Sequence, residues 1–178
     1  MKTSLAHLPE YKQQELRLLK EVISADRQVH MIILFGSFAT GKWVEDVYME
    51  DGITYSYHSD FDILVITPTE NFATRLRVEE AIKEKCVATG KVKTSINAIF
   101  HGIRFVNNAL LYGNYFFADI KKEGILLFDS GKYGLAEPKI LAPEEQTAKM
   151  QENFEQWFGS ANSFLIDPKY FSNQFWQV

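Results

Sequence analysis

The apolar run Met31-Ile32-Ile33-Leu34-Phe35 stops at Gly36-Ser37, and a second run, Phe61-Asp62-Ile63-Leu64-Val65-Ile66, opens on Ser59-Asp60. Side chains alternate along a strand, so Asp60 and Asp62 project from one face, about 6 to 7 Å apart along the backbone. Phe61, Ile63 and Val65 point the other way, into a core, which sets the acidic pair at the rim of a buried strand. Two like charges held that close are unfavourable unless cations neutralise them, and hard carboxylate oxygens suit magnesium. On the first run, a tight glycine turn lets main-chain amides approach an anion, and amides at a helix N-terminus add donors and a positive dipole. The segment therefore reads as a phosphate cradle beside a carboxylate pair able to share metal ions. The plainer alternative is that Asp60 and Asp62 merely open a strand from a loop.

With Gly36-Ser37, Gly41, Asp60 and Asp62 in place, the chain resembles the nucleotidyltransferase superfamily that includes DNA polymerase beta, and within it the minimal nucleotidyltransferases. A softer likeness runs through Tyr115 to Asp129, which looks like the closing helix and strand of minimal members, so that residues 31–129 are covered. The resemblance implies an α/β (α+β) fold, a small mixed twisted sheet with flanking helices. It implies that Gly36 and Ser37 hold the terminal phosphates of ATP or another nucleoside triphosphate, while Asp60 and Asp62 hold two Mg²⁺ ions and are the catalytic residues. The activity so implied is transfer of a nucleoside monophosphate, AMP first among them, to a hydroxyl of a protein or small molecule. By association it also implies an antitoxin that modifies a HEPN-domain toxin. Two alternatives stand beside it: an aminoglycoside-type nucleotidyltransferase, and a nucleotide-binding or partner-binding module that has lost catalysis.

Gly36 to Lys42 also fits the Gly-x4-Gly-Lys part of a P-loop, but Trp43 stands where a Ser or Thr must hold magnesium. Residues 43–58 moreover read as an inserted β-hairpin around Asp51-Gly52, a favoured type I′ turn pair, where a P-loop requires a helix. Lys42 is a candidate phosphate ligand as a point charge, against the ordinary role of an exposed lysine after a glycine turn. The hairpin aromatics Trp43, Tyr48, Tyr55 and Tyr57 could stack a base, although cross-strand aromatic pairs commonly hold hairpins together.

The resemblance implies a third carboxylate, which most active relatives carry on the next strand, where it binds metal and helps remove the acceptor's proton. Here a strand expected over Val92 to Phe100 offers Asn97 on the corresponding face, and an amide cannot accept a proton. His101, continuing that face, and Asp119 and Glu123 farther on are substitutes. Their plainer roles are a loop hydrogen bond and solvated helix charges. His58 could contact substrate from the hairpin base, whereas His7 and His30 carry no motif and receive no role.

At 178 residues, 46% hydrophobic and with 14 Phe, the chain can bury one good core plus an appendage. A catalytic domain over 1–140 and a helical tail over 141–178 are expected. The single cysteine, Cys86, falls in a helical pattern and fits a reducing compartment, hence the cytoplasm. No apolar run approaches the roughly 20 residues of a membrane span, and Met1-Lys2-Thr3-Ser4-Leu5 is not followed by a signal core. A net charge of −4 disfavours a polynucleotide partner.

Helical spacing is expected from Pro9 to about Asp26, strands over 29–35 and 61–67, and a helix capped by Asn71 that turns Leu76, Ala81, Ile82 and Cys86 inward and stops at Gly90. Short helices at Ile103–Leu111 and Tyr115–Lys122 and a strand at Ile125–Phe128 complete the domain. In the tail, Pro143-Glu144-Glu145 starts a helix whose Phe154, Trp157, Phe158, Ala161, Phe164 and Leu165 form one stripe before Pro168. The tail resembles the first helix of a HEPN bundle, although the Arg-x4-6-His motif of active HEPN proteins is missing. Its stripe points to self-association or to a HEPN-type partner.

Overall fold

The computed structural model describes residues 1–142, 144–148, 150–151, 154–155 and 158–159. Trp157, Ala161, Phe164, Leu165 and the HEPN-like remainder of the expected tail lie outside the described residues. The chain divides into two compact units, Met1–Lys139 and a second beginning at Ile140.

The first unit follows from two apolar runs buried on both faces. Strands β1 (Met31–Phe35), β4 (Phe61–Thr67), β5 (Ile96–Gly102) and β6 (Ile125–Asp129) form one sheet in the order β5-β4-β1-β6. β1 runs antiparallel to β4 and β6, whereas β4 and β5 are parallel. One face turns Ile32, Leu34, Ile63 and Val65 against Leu16, Leu19 and Ile23 of α1 (Glu10–Ser24) and Val78 and Ile82 of α3 (Phe72–Ile82). The other turns Met31, Ile33, Leu64 and Ile66 against α4 (Ile103–Leu111) and α5 (Tyr115–Glu123). Double burial is why these strands read as unbroken apolar runs and not as alternating ones.

Between β1 and β4 lie α2 (Gly36–Thr40) and the hairpin strands β2 (Glu45–Glu50) and β3 (Ile53–His58), which pair only with each other. Asp51 and Gly52 at its tip have φ of 51° and 77°, as a type I′ turn requires.

Two sequence expectations shift for identifiable reasons. The strand expected from Val92 begins at Ile96, because the groups on 92–95 are satisfied from elsewhere: Val92 N–H donates to Cys86 O, Lys93 N–H to Glu15 Oε1, and Thr94 Oγ1 to Glu15 Oε2. Leu76 faces solvent while Thr74, Val78 and Ile82, recurring every fourth residue, face inward. Leu76 stands two positions off that stripe, on the opposite side of the helix. A single π-type turn over Lys83–Val87 then keeps Cys86 buried, and Ala81 packs at the edge of the core. The cap itself is as expected, with Asn71 Oδ1 accepting from Thr74 N–H at 3.2 Å.

One polar cluster lies inside this apolar frame. Lys12, 4% exposed on α1, donates to Thr94 Oγ1 at 2.7 Å and to Glu45 Oε1 at 3.3 Å. Its ammonium also sits 5.4 Å from the Phe38 ring and 5.9 Å from the Phe61 ring. Four segments distant in sequence meet on one cation. In the second unit, the described helical residues carry a stacked Phe154–Phe158 pair at 5.4 Å and a Gln151–Glu155 bond, both one turn apart.

Removing one member of a buried ionic cluster strands the others. Lys12→Met should therefore destabilise the protein by about 2 kcal/mol in urea unfolding, with part recovered by adding Glu15→Gln. A single variant within about 0.5 kcal/mol of the parent would show that solvent already screens the cluster.

Candidate active site

β1 delivers the chain to Gly36 with φ +71°, and α2 runs from there to a left-handed cap at Gly41, φ +78°. In the antiparallel register Phe35 faces Asp62, so Gly36 abuts the aspartate. A Cβ on residue 36 would run into Asp62 Oδ2 and come within 3.2 Å of its Cγ. Glycine is thus required twice, by backbone angle and by the carboxylate packed against it. Thr40 Oγ1 donates back to Gly36 O at 3.0 Å, and His7 Nε2 lies 2.7 Å from Phe38 O. His7, which carries no sequence signal, therefore anchors the α2 turn from the N-terminal segment.

Asp62 extends the Leu64–Ile66 face of β4, while Asp60 is exposed just before the strand. Across the parallel register Asp62 faces Asn97, whose Nδ2 donates to Asp62 Oδ1 at 2.9 Å. Burial pushes the Asp62 carboxyl above its ordinary value; the Asn97 hydrogen bond opposes this and the neighbouring Asp60 charge adds to it. Asn97 thus occupies the position facing the pair on the next strand, but as a donor. Among the described residues, no group of three or more His, Cys, Asp or Glu side chains gathers to hold a metal.

The other candidates separate. His101 faces Ile66, four positions beyond Asn97 and about 13 Å along the strand. Its Nδ1 lies 3.4 Å from Glu70 Oε1 and its ring stacks on Phe105 at 4.4 Å, a local structural role. Asp119 and Glu123 stand on α5 and line a cleft of about 280 Å³ that also includes Gly36 and Thr40. Ser37 is half-buried in the first turn of α2, and Lys42 is exposed one residue past its cap, with its N–H donating to Ser37 O at 2.9 Å.

Packing beneath the site explains how the two motifs keep their relative position. Phe38 follows Ser37, Phe61 separates the two aspartates, and their rings meet at 4.7 Å; Trp43 stacks on Phe38 at 5.3 Å. Trp43 is thereby a wall of the core, and Tyr48 stacks on Tyr55 and Tyr57 at 5.2 and 5.9 Å within the hairpin. The hairpin closes where Val44 N–H donates to Ser59 Oγ and Ser59 N–H donates to Val44 O, both at 2.9 Å, one residue before Asp60. After Lys42 the chain enters this strand pair and no helix follows, which removes the P-loop reading.

None of the curated proteins matches the chain. Among solved structures, one described as a toxin-antitoxin with AMP-PNP is similar at 14% identity and a TM-score of 0.37, covering 86% of this chain and 98% of that one. A Sulfolobus solfataricus protein assigned to the nucleotidyltransferases is similar at 17% identity and a TM-score of 0.34, with 75% and 96% covered. The family model "Polymerase beta, Nucleotidyltransferase" matches residues 18–132, which takes in β1, the Gly36-Ser37 turn, both aspartates and Asn97. Since that match spans most of the chain, this protein belongs to the polymerase beta nucleotidyltransferase family.

Proposed function

We propose that the protein transfers a nucleoside monophosphate, AMP from ATP in the first instance, to a hydroxyl acceptor on a protein or small molecule. The observation that carries this is the Asp62 carboxylate, half-buried and packed on Gly36 with Asp60 beside it. Among the described residues, no basic side chain hydrogen-bonds to or pairs with either aspartate. The donor set fits magnesium, which binds through one or two carboxylates together with substrate phosphates and water, not through a closed protein cage. Asp60 and Asp62 would hold two such ions, whose chemistry is to neutralise charge on the phosphates and the attacking oxygen.

The chain's own residues divide the remaining work. Ser37 and the α2 amides bind the β- and γ-phosphates, with Lys42 as an added point charge, so that the α-phosphorus faces the aspartates. The acceptor oxygen attacks that phosphorus in line, the bond to the β-phosphate oxygen breaks, and pyrophosphate leaves. Asn97 orients Asp62 by donating to it and takes up no proton, which leaves the acceptor's proton to an aspartate or to water. The resemblance to minimal nucleotidyltransferases makes a HEPN-domain toxin one protein acceptor to test. A second reading, a nucleotide-binding module with little transfer, is favoured by one observation: the group that faces Asp62 from the next strand is the amide of Asn97, which cannot accept a proton.

Asp60→Asn and Asp62→Asn should each abolish Mg²⁺-dependent ATP binding in calorimetry; unchanged affinity in both would sink the metal assignment. The raised pKa of Asp62 carries its own pH signature. A carboxyl whose folded pKa lies above its unfolded value favours folding at low pH and loses that contribution as pH rises through the folded pKa. Without metal, Asp62→Asn should therefore be more stable than the parent at neutral pH, with the gap closing towards pH values below the unfolded pKa. An equal gap at all pH values in urea unfolding contradicts it. Asn97→Asp should raise AMP transfer from labelled ATP about 10-fold if proton acceptance limits the reaction. No gain over an already active parent would place proton acceptance elsewhere.

A further inference from the structure

The two edges of the β5-β4-β1-β6 sheet are finished differently. At β6 the N-terminal segment takes up part of the edge: Lys2 bridges to Ile125 in parallel, and Leu126 N–H donates to Lys2 O at 2.8 Å. At β5 no segment does so among the described residues. Phe61 N–H donates to Ser95 O at 2.8 Å, which fixes the phase of this parallel ladder. Every second residue turns its main-chain groups to the neighbouring strand, so Asn97, Ile99 and His101 bond to β4 while Ile96, Ala98 and Phe100 turn theirs outward. Gly102, next in that outward set, donates its N–H to Glu70 Oε1 at 2.9 Å and ends the free stretch. The outward N–H and C=O groups of Ile96, Ala98 and Phe100 have no partner among the described residues.

Proteins guard bare strand edges with charge, proline or a bulge. The hairpin has such a guard, since β2 carries Glu45, Asp46 and Glu50. β5 holds no Asp, Glu, Lys, Arg or Pro, and Ile96, Ala98, Ile99 and Phe100 on it are only partly buried. The order of its side chains identifies the occupant. One register pairs all three free residues with one another: antiparallel, centred on Ala98, with Ala98 against itself and Ile96 against Phe100 of the second copy. These three side chains lie on the face of the sheet that packs on α1 and α3. A small residue on the axis is thus flanked on both sides by an aromatic and β-branched pair, a favourable combination across antiparallel strands. No formal charges meet. An edge matched to itself in this way is isologous and closes after two copies.

We infer that the protein pairs with a second copy of itself through β5, joining two four-stranded sheets into one continuous sheet. The same register sets Ile99 of the second copy opposite Asn97, on the face that carries Asp62. Each copy thereby walls the open side of the other's acidic pair. The pairing does not depend on which reaction that pair performs.

Amide hydrogen exchange of the full chain, followed by NMR at low and high protein concentration alongside light scattering, tests this. Light scattering should give the mass of two chains at high concentration, and the amides of Ile96, Ala98 and Phe100 should exchange about 10-fold more slowly there, as a tenfold excess of paired over single chains requires. Ala98→Pro removes an outward donor and leaves every bond to β4 in place, a substitution that edge strands accept. It should give a folded single chain whose remaining Ile96 and Phe100 amides exchange at one rate at both concentrations. A single chain at both concentrations in the unaltered protein overturns the inference without any variant having to fold. So does a pair in which these three amides exchange at a concentration-independent rate, which would mean association through another face. A folded Ala98→Pro variant that still pairs overturns it as well.

Discussion

The ammonium of Lys12 is the contact on which the arrangement of the site depends. It reaches Thr94 before β5, Glu45 at the start of the hairpin, and the faces of Phe38 on α2 and Phe61 on β4. Each of those segments carries or flanks part of the candidate site: Ser37, the aspartates, Asn97 and the hairpin base. A buried cation tolerates few geometries, because losing any partner leaves it desolvated without compensation. A purely apolar layer here would fill the space but would permit small slides between segments. Glu15 completes the arrangement by accepting from Thr94 and from the Lys93 amide, which also explains why this stretch is not a strand.

That dependence sets what can be read from the chain. β1 and β4 were legible because burial on both faces writes an unbroken apolar run, and the Asp51-Gly52 turn because its backbone angles demand those residues. Gly36, Asp60 and Asp62 were legible as a spacing, and Asn97 as an alternation carried forward from a strand. The contribution of Lys12 was not, since a lysine on an amphipathic helix looks the same whether it meets water or Thr94. His7 was invisible for the same reason: its partner is a main-chain carbonyl at Phe38, which has no sequence signature. Leu76 is apolar but out of phase with the buried stripe of α3, so its apolarity alone does not place it.

The family match settles kinship, and the geometry gives that kinship a particular form. Asp62 is squeezed between its own burial, the charge of Asp60 and the amide of Asn97. A carboxylate in place of Asn97 would add a third negative charge to a site already poor in compensation. The amide relieves that repulsion and fixes the rotamer of Asp62, at the expense of a proton acceptor. Under the proposed transfer reaction, stability of the empty site and proton acceptance would pull this one position in opposite directions.

The reciprocal hydrogen bonds between Val44 and Ser59 make the hairpin a closed annex. Beyond them and beyond Glu45, which Tyr11 and Lys12 tie to α1, the two strands pair only with each other, so the geometry at Asp60 is separated from what the tip of the hairpin contains. Strand pairs can lengthen or shorten two residues at a time without changing which face each side chain occupies. The tip is accordingly where the chain can acquire new recognition without disturbing the candidate site, and where a reporter group could be grafted on strands that lead back to the aspartates.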